Sequence, residues 1–295
     1  MKGRSNTAVA VALVLTLIAA AAGHVQADRG PSASSGGRSI EDMAGIQAVN
    51  ILMEKSGLNR QIRYYPELLR TNMAHVHRQR PQFSNRDYQG LSLMVAKAFN
   101  PDRMIDTVRN HIHARLTEED VSAVLAWLTS PLGERITRIE EVASSPEALT
   151  KSPKAADAAE DDADRIARLR KLDRVVKATD AAAGSAQNLQ IAMLTAMTAA
   201  MDPELRPAFD TVVAEARKRS EQVRPLLEKR AFEHLQRVYR PLSADEIDQY
   251  TVFAESEAGK KYHAVVLQAM QEATLNASRE LGTMIGKRVV KKKEP

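Results

Sequence analysis

The chain has 295 residues, 44% of them hydrophobic, and a formal net charge of +5, so it is long enough to bury one large core or two small ones. It contains no cysteine, which excludes disulfides, thiol catalysis and a lipid anchor on a cysteine. Aromatic residues make up 4%, whereas Ala, Leu, Met, Glu, Lys and Arg are abundant, and this composition favours helices over strands.

The first 27 residues have the parts of a secretory signal peptide. Lys2 and Arg4 supply positive charge, residues 8–22 are apolar, and residues 25–27 end in the small Ala27 that signal peptidases accept. The apolar stretch has 15 residues, whereas a membrane span needs about 20. We therefore predict cleavage after residue 27 and a periplasmic or secreted protein, with an uncleaved anchor as the alternative. Loss of the two basic residues lowers the net charge from +5 to +3.

The remainder is predicted to be all-α, in two tandem helical units that each form a small bundle. Residues 28–40 are rich in Gly, Ser and Pro and form a flexible leader. Apolar residues at helical spacing fill unit 1, residues 41–143. Residues 144–165, with Pro, Ser, Ala and clustered acids, form a linker. Unit 2 covers 166–290, and residues 291–295 are a basic tail.

Several helices within these units have recognisable limits. In unit 1, Gly57 ends the first helix, and Asn100-Pro101 opens a later one. In unit 2 we expect a methionine-rich helix over 189–201, followed by separate helices over 203–220 and 225–239.

One motif occurs twice, 126 positions apart: LTEEDVSAVLAWLTSPLGERI at 116–136 and LSADEIDQYTVFAESEAGKKY at 242–262. Each copy begins with a hydroxyl residue that caps a helix, Thr117 or Ser243, and continues with acids that suit the positive end of the helix dipole. An apolar stripe at i, i+3, i+4 and i+7 follows in both copies. The stripe consists of Val121, Val124, Leu125 and Leu128 in the first copy and Ile247, Tyr250, Thr251 and Ala254 in the second.

The end of each copy is interpreted as a tight corner between two helices. An aromatic residue lies off the stripe, a serine caps the next helix, and a glycine follows in its first turn. A glycine there costs about 1 kcal/mol of helix stability, which is tolerated when another backbone must come close. The residues are Trp127, Ser130 and Gly133 in the first copy and Phe253, Ser256 and Gly259 in the second.

An acid-capped helix that ends in an aromatic residue, followed by Ser-Pro-x-Gly or Ser-x-x-Gly and a basic residue, resembles DUF2059, a short helical domain of exported bacterial proteins. The copy at 116–136 resembles that family closely. The copy at 242–262 lacks the proline and has Glu257 in its place. The resemblance implies a bacterial envelope protein and no established activity.

Two groups of residues are of the types that ligate metals. His75 and His77, like His111 and His113, are two positions apart, so on a helix they point about 200° apart and cannot chelate one ion together. We therefore predict no metal site at these histidines. The stripe of Met193, Met197 and Met201 is compatible with Cu(I), with a groove for a partner or apolar ligand, and with ordinary core packing.

No catalytic or cofactor-binding residue is predicted. The sequence has no Ser, His and Asp arrangement with a nucleophile elbow and no phosphate-binding glycine loop. The basic C-terminus could contact an anionic envelope surface or remain a solvated end, whereas the export signal and modest charge disfavour nucleic acid.

These observations predict a non-catalytic interaction or scaffold module of the bacterial cell envelope. Its partner would be another envelope protein or an apolar ligand, bound between the two units. A carrier of a small apolar ligand or lipid is the alternative from a different class. A hydrolase with an unrecognised site is a weaker alternative.

Overall fold

A computed structural model describes residues 40–79, 84–145, 148, 162–179, 181–182, 194 and 206–291. The predicted signal peptide, almost all of the leader and of the tail, most of the linker, and Met193, Met197 and Met201 lie outside the described residues. The described part of the chain contains helices and no strand, which confirms the predicted all-α class.

The helices are α1 Ile40–Lys55, α2 Leu58–Gln79, α3 Asn85–Ala98, α4 Pro101–His113, α5 Glu118–Leu128, α6 Pro131–Ala143, α7 Ala163–Val176, α8 Arg206–Val238, α9 Ala244–Glu255 and α10 Glu257–Lys291. Side-chain caps explain several starts, because a capping oxygen satisfies one of the free N–H groups in the first turn. Asn100 caps α4 and Asp162 caps α7 in this way. None of the described helices combines the length and apolarity that a membrane crossing requires.

The prediction of separate helices over 203–220 and 225–239 was wrong. The single helix α8 runs from Arg206 to Val238 with Pro225 inside it, and α2 likewise continues through Pro66. A proline removes one backbone hydrogen bond but holds φ close to the helical value, so the flanking turns can keep a helix continuous.

The first hydrophobic core combines helices from both predicted units. It consists of buried side chains from α1 to α5 together with Leu194 and one face of α10. On α10 that face is formed by Tyr262, Val265, Ala269, Ala273, Ala277, Leu281 and Ile285. These residues recur at helical spacing, and the three alanines in the middle of the face allow α10 to lie close along α4, α3 and α5.

The second hydrophobic core consists mostly of helices from the second predicted unit, with one helix from the first. It contains α7, α9 and the end of α8, joined by Ile136 of α6. Thus the two cores do not coincide with the predicted units, because α6 of unit 1 packs into the second core while α10 of unit 2 packs into the first. At each corner the chain passes from one hydrophobic core to the other.

Candidate functional site: the paired corners

The two corners have the same hydrogen-bond geometry. The Ser130 hydroxyl donates to the carbonyl oxygen of Trp127 at 2.6 Å and accepts the N–H of Gly133 at 3.1 Å. The Ser256 hydroxyl donates to the carbonyl oxygen of Phe253 at 2.7 Å and accepts the N–H of Gly259 at 3.0 Å. In both corners one serine closes the end of one helix and the start of the next.

The glycine of each corner lies against backbone. A Cβ atom at Gly133 would lie 2.0 Å from the carbonyl oxygen of Trp127, and a Cβ atom at Gly259 would lie 2.0 Å from that of Phe253. Real Cβ atoms do not approach oxygen so closely, and a backbone carbonyl cannot swing aside as a flexible side chain can. The bent corner therefore accommodates glycine and excludes larger residues.

The aromatic residues of the two corners contact each other. The Trp127 and Phe253 rings stack with centroids 4.6 Å apart and planes inclined by 7°. Both side chains also pack against each of the two cores. The stack therefore joins the two cores at the point where the corners meet.

Ion pairs connect the two copies of the motif in a reciprocal pattern. Arg135 of α6 pairs with Glu246, and Lys261 of α10 pairs with Asp120. The basic residues are 126 positions apart, as are the acids. Arg135 also donates to the carbonyl oxygen of Pro241 at 2.7 Å. The helix after each corner thus binds the start of the capped helix in the other copy of the motif.

Both of these acids also complete capping boxes. The Asp120 carboxylate accepts from the backbone N–H of Thr117 at 2.9 Å, and the Glu246 carboxylate accepts from that of Ser243 at 2.7 Å. The hydrogen bond from Lys261 is the main cause that lowers the pKa of Asp120. For Glu246 the main cause of the lowered pKa is the backbone N–H of Ser243, with Arg135 adding to it. The lowered pKa values keep both carboxylates ionised further into the acidic range, which favours both the caps and the ion pairs there.

Contacts of this kind are those of an isologous interface, in which residue i of one copy contacts residue j of the other and the reverse contact also occurs. On the axis of such an interface, equivalent residues meet each other. Trp127 and Phe253 meet in this way, and Arg135 and Lys261 make the reciprocal contacts.

The partly buried carboxylate of Glu140 on α6 has no counterpart on α10. The hydroxyl of Tyr239 donates to Glu140 Oε1 at 2.6 Å, and that of Tyr250 lies 3.4 Å from the same atom. Burial raises the pKa of Glu140, although both tyrosine hydrogen bonds act in the opposite direction. The position 126 residues later is Val266, so this polar contact exists only where α6 enters the second core.

His263 lies among aromatic rings, one of which is Tyr250 of the Glu140 contact. Its ring centroid is 6.1 Å from that of Tyr250, 6.1 Å from that of Phe253 and 5.2 Å from that of Tyr262. Its Nε2 atom is buried without a hydrogen-bond partner. Burial lowers the pKa of His263 to about 4, so the ring is neutral at physiological pH.

Residues 102–161 match DUF2059, the family described as "Uncharacterized protein conserved in bacteria". Those residues comprise nearly all of α4, then α5, the first corner and α6, and they end before the second copy of the motif. The chain has no significant match among curated proteins or among solved structures.

The histidines of the DUF2059 match are engaged in separate contacts. His111 Nδ1 lies 2.6 Å from a carboxylate oxygen of Glu272. His113 lines a shallow pocket of about 190 Å³ with Gly45 and Glu118, whereas ligand pockets hold about 300–1,000 Å³. The described residues include no group of three or more His, Asp or Glu placed to hold a metal ion.

The predicted corner residues lie between α5 and α6 and between α9 and α10. Sequence reasoning did not indicate which residues they contact. The methionine stripe lies outside the described residues, although its neighbour Leu194 is buried in the first core. Glu140 gave no signal, because the sequence pattern does not distinguish it from the other two acids of α6. The basic residue two positions after each corner glycine, Arg135 or Lys261, was a usable signal that this position has the same role in both copies.

Proposed function

We propose that this chain is a non-catalytic helical interaction module, made of two DUF2059-like units of which the second is more divergent. The observation that carries the proposal is the reciprocal set of contacts between positions 126 apart. Trp127 stacks on Phe253, while Arg135 and Lys261 each reach the capping acid of the other unit. The unit's characteristic residues thus serve to pair one helical unit with another.

The ionisable groups near the corners support a structural role. Asp120 and Glu246 cap helices and form ion pairs, and Glu140 accepts hydrogen bonds from two tyrosines. Catalytic groups are expected to converge on a cleft that admits substrate. These groups instead contact protein atoms on neighbouring helices.

The compartment follows from the N-terminal sequence. The charged start, the apolar segment and the small residue Ala27 support export with cleavage after residue 27. We place the module in the periplasm or outside the cell, where its partner is another envelope protein or an apolar ligand. N-terminal sequencing of the exported protein should find Asp28 as the first residue.

Linker cleavage tests the pairing of the units. A specific protease site is inserted between residues 151 and 161, and the folded full chain is then cut there. The two halves should remain together on size exclusion at micromolar concentration and separate only in denaturant. Separation of the halves under native conditions would contradict the proposal.

Native mass spectrometry of the exported protein separates the module from the two alternative functions. The module should appear at the mass of the bare chain or of a complex with another protein. A stoichiometric small molecule bound to the chain would instead support a carrier of an apolar ligand or lipid. Hydrolysis of ester or amide substrates that persists in every corner variant would support the hydrolase.

A further inference from the structure

The surface that receives α10 is built almost entirely by the other half of the chain. Tyr262, Ala269 and Ile285 of α10 are buried in a core whose other buried side chains come from α1 to α5, apart from Leu194. Phe253 of α9 packs at its edge. Arg103 of α4 adds an ion pair at 2.8 Å to Glu280, far along the same helix. α10 is covalently joined to α9, which lies in the second core, and not to the helices that it packs against in the first core. The α10 of another molecule could therefore make the same contacts.

The link between α9 and α10 is a single residue, Ser256. The bend at that residue requires the close approach of Gly259 to the carbonyl oxygen of Phe253. In a continuous helix, residues six positions apart do not approach in this way. The observed bend returns α10 to its own chain. A straight corner, in which α9 and α10 formed one continuous helix, would carry α10 away from it and would relieve the close approach at Gly259.

We infer that two copies of this chain bind each other by exchanging α10, so that α10 of one molecule fills the first core of the other. The inference rests on the proposed function and names a partner for it, a second copy of the same chain. A short hinge between two packed elements is the usual place for such an exchange. The reciprocal contacts within the chain already have the form of an interface between two copies.

Cross-linking distinguishes exchange from pairing within one chain. Because the chain has no cysteine, Asp120→Cys together with Lys261→Cys supplies the only two thiols for a short bis-maleimide. The control pair is Arg63→Cys with Asp102→Cys, which join α2 to α4 within the first unit. Both double variants are refolded over a roughly 100-fold range of concentration, because exchange obeys mass action.

The expected result is a cross-linked dimer from the 120/261 pair, in a fraction that rises with concentration, while the 63/102 pair stays within one chain. Adding Gly259→Ala should raise the dimer fraction about tenfold at a given concentration, because the bent corner excludes a Cβ atom. Lys260→Ala, on the neighbouring exposed position, should leave the fraction unchanged.

The inference is overturned if the 120/261 cross-link stays within single chains at every concentration, and the pairing of units inside the chain then still stands. If the 120/261 cross-link does not form at all, the pairing itself is wrong and the proposed function fails with it. If Gly259→Ala does not fold, the concentration series of the two cysteine pairs alone distinguishes exchange from pairing within one chain.

Discussion

Trp127 and Phe253 occupy the same position in two copies of a motif 126 residues apart, and their rings stack on each other at 4.6 Å. Each ring ends the short capped helix of its own unit and contacts both cores. A contact between equivalent residues requires the two copies to face each other. If the motif works as one half of an interface, as we propose, substitutions in the two copies should be energetically coupled.

The first prediction concerns this stack. Trp127→Ala and Phe253→Ala should each destabilise the protein by at most about 3–5 kcal/mol, the cost for a fully buried ring, because both rings are only partly buried. Because the rings contact each other, the double variant should show a coupling energy of about 0.5–1.5 kcal/mol. Urea unfolding of the four proteins measures it.

Tyr65→Ala provides the control for that cycle. Tyr65 packs against the first core and stacks on Phe99 at 5.7 Å rather than on Trp127. Its effect should add to that of Trp127→Ala within about 0.5 kcal/mol. A coupling between Trp127 and Phe253 no larger than this control would contradict the role given to the stack.

The second prediction concerns the corner glycines. Alanine normally stabilises a helix relative to glycine by about 1 kcal/mol. At Gly133 the added Cβ would meet the carbonyl oxygen of Trp127 at 2.0 Å, so Gly133→Ala should instead destabilise, by about 1–3 kcal/mol. Thermal unfolding followed by circular dichroism gives the sign directly.

Gly45→Ala is the matched control, because Gly45 also lies inside a helix. Its Cβ atom would meet only the end of the His113 side chain, at 3.1 Å, and that side chain can move. This variant should be neutral or slightly stabilising. Equal effects at the two glycines would show that the corner does not require close backbone approach.

The sequence predicted the helices of the motif better than their packing. The buried stripe with Val124 and Ile247 was predicted correctly, because spacing along a helix identifies a buried face. Spacing does not say what covers that face. Ile136 and Tyr262 occupy equivalent positions, and each is buried in the core of the opposite unit. This crossing of α6 and α10 into opposite cores depends on the direction in which each corner bends, which no local sequence pattern encodes.

The third prediction concerns the reciprocal ion pairs. Arg135→Ala and Lys261→Ala should each reduce the free energy of unfolding by up to about 1 kcal/mol, because both bases are about half exposed and such pairs are screened by solvent. The loss should shrink at 1 M salt, where the Debye length is about 3 Å. Chemical unfolding in urea at low and high salt measures it.

Arg63→Ala is the control for the ion pairs. Arg63 and Asp102 are 60% and 75% exposed and pair within the first unit. Arg63→Ala should not change the association of the two halves of a linker-cut chain at low or high salt. Arg135→Ala and Lys261→Ala should weaken that association. If all three variants behave alike, the ion pairs between units have no special role.

The fourth prediction concerns acid stability. Burial lowers the pKa of His263 to about 4 from its ordinary 6.5. A depressed pKa gives stability that is present above pH 6.5 and is lost as the pH falls toward 4, because the unfolded chain takes up the proton first. The loss should reach up to about 3 kcal/mol. His263→Phe should remove this part of the pH dependence, and Lys260→Ala should retain it.

The fifth prediction concerns Glu140 and has the opposite sign. Burial raises its pKa above the ordinary 4.5, so its contribution to stability is complete below pH 4.5 and is lost as the pH rises through the folded value. Glu140→Gln keeps an oxygen that accepts from Tyr239 and Tyr250 but cannot ionise. As the pH is raised from 4 to 8, the wild type should lose the stability linked to Glu140, whereas the glutamine variant should not. The free energy of unfolding of Glu140→Gln minus that of the wild type should therefore increase.

Urea unfolding across that pH range measures the difference between the two proteins. Glu257→Gln is the control, because that carboxylate is 96% exposed and its removal takes no charge out of the interior. Glu140→Leu should be less stable than Glu140→Gln at every pH, since it leaves the Tyr239 hydroxyl without its acceptor. A pH-independent difference between Glu140→Gln and wild type would show that the carboxylate ionises in the folded protein as readily as in the unfolded chain.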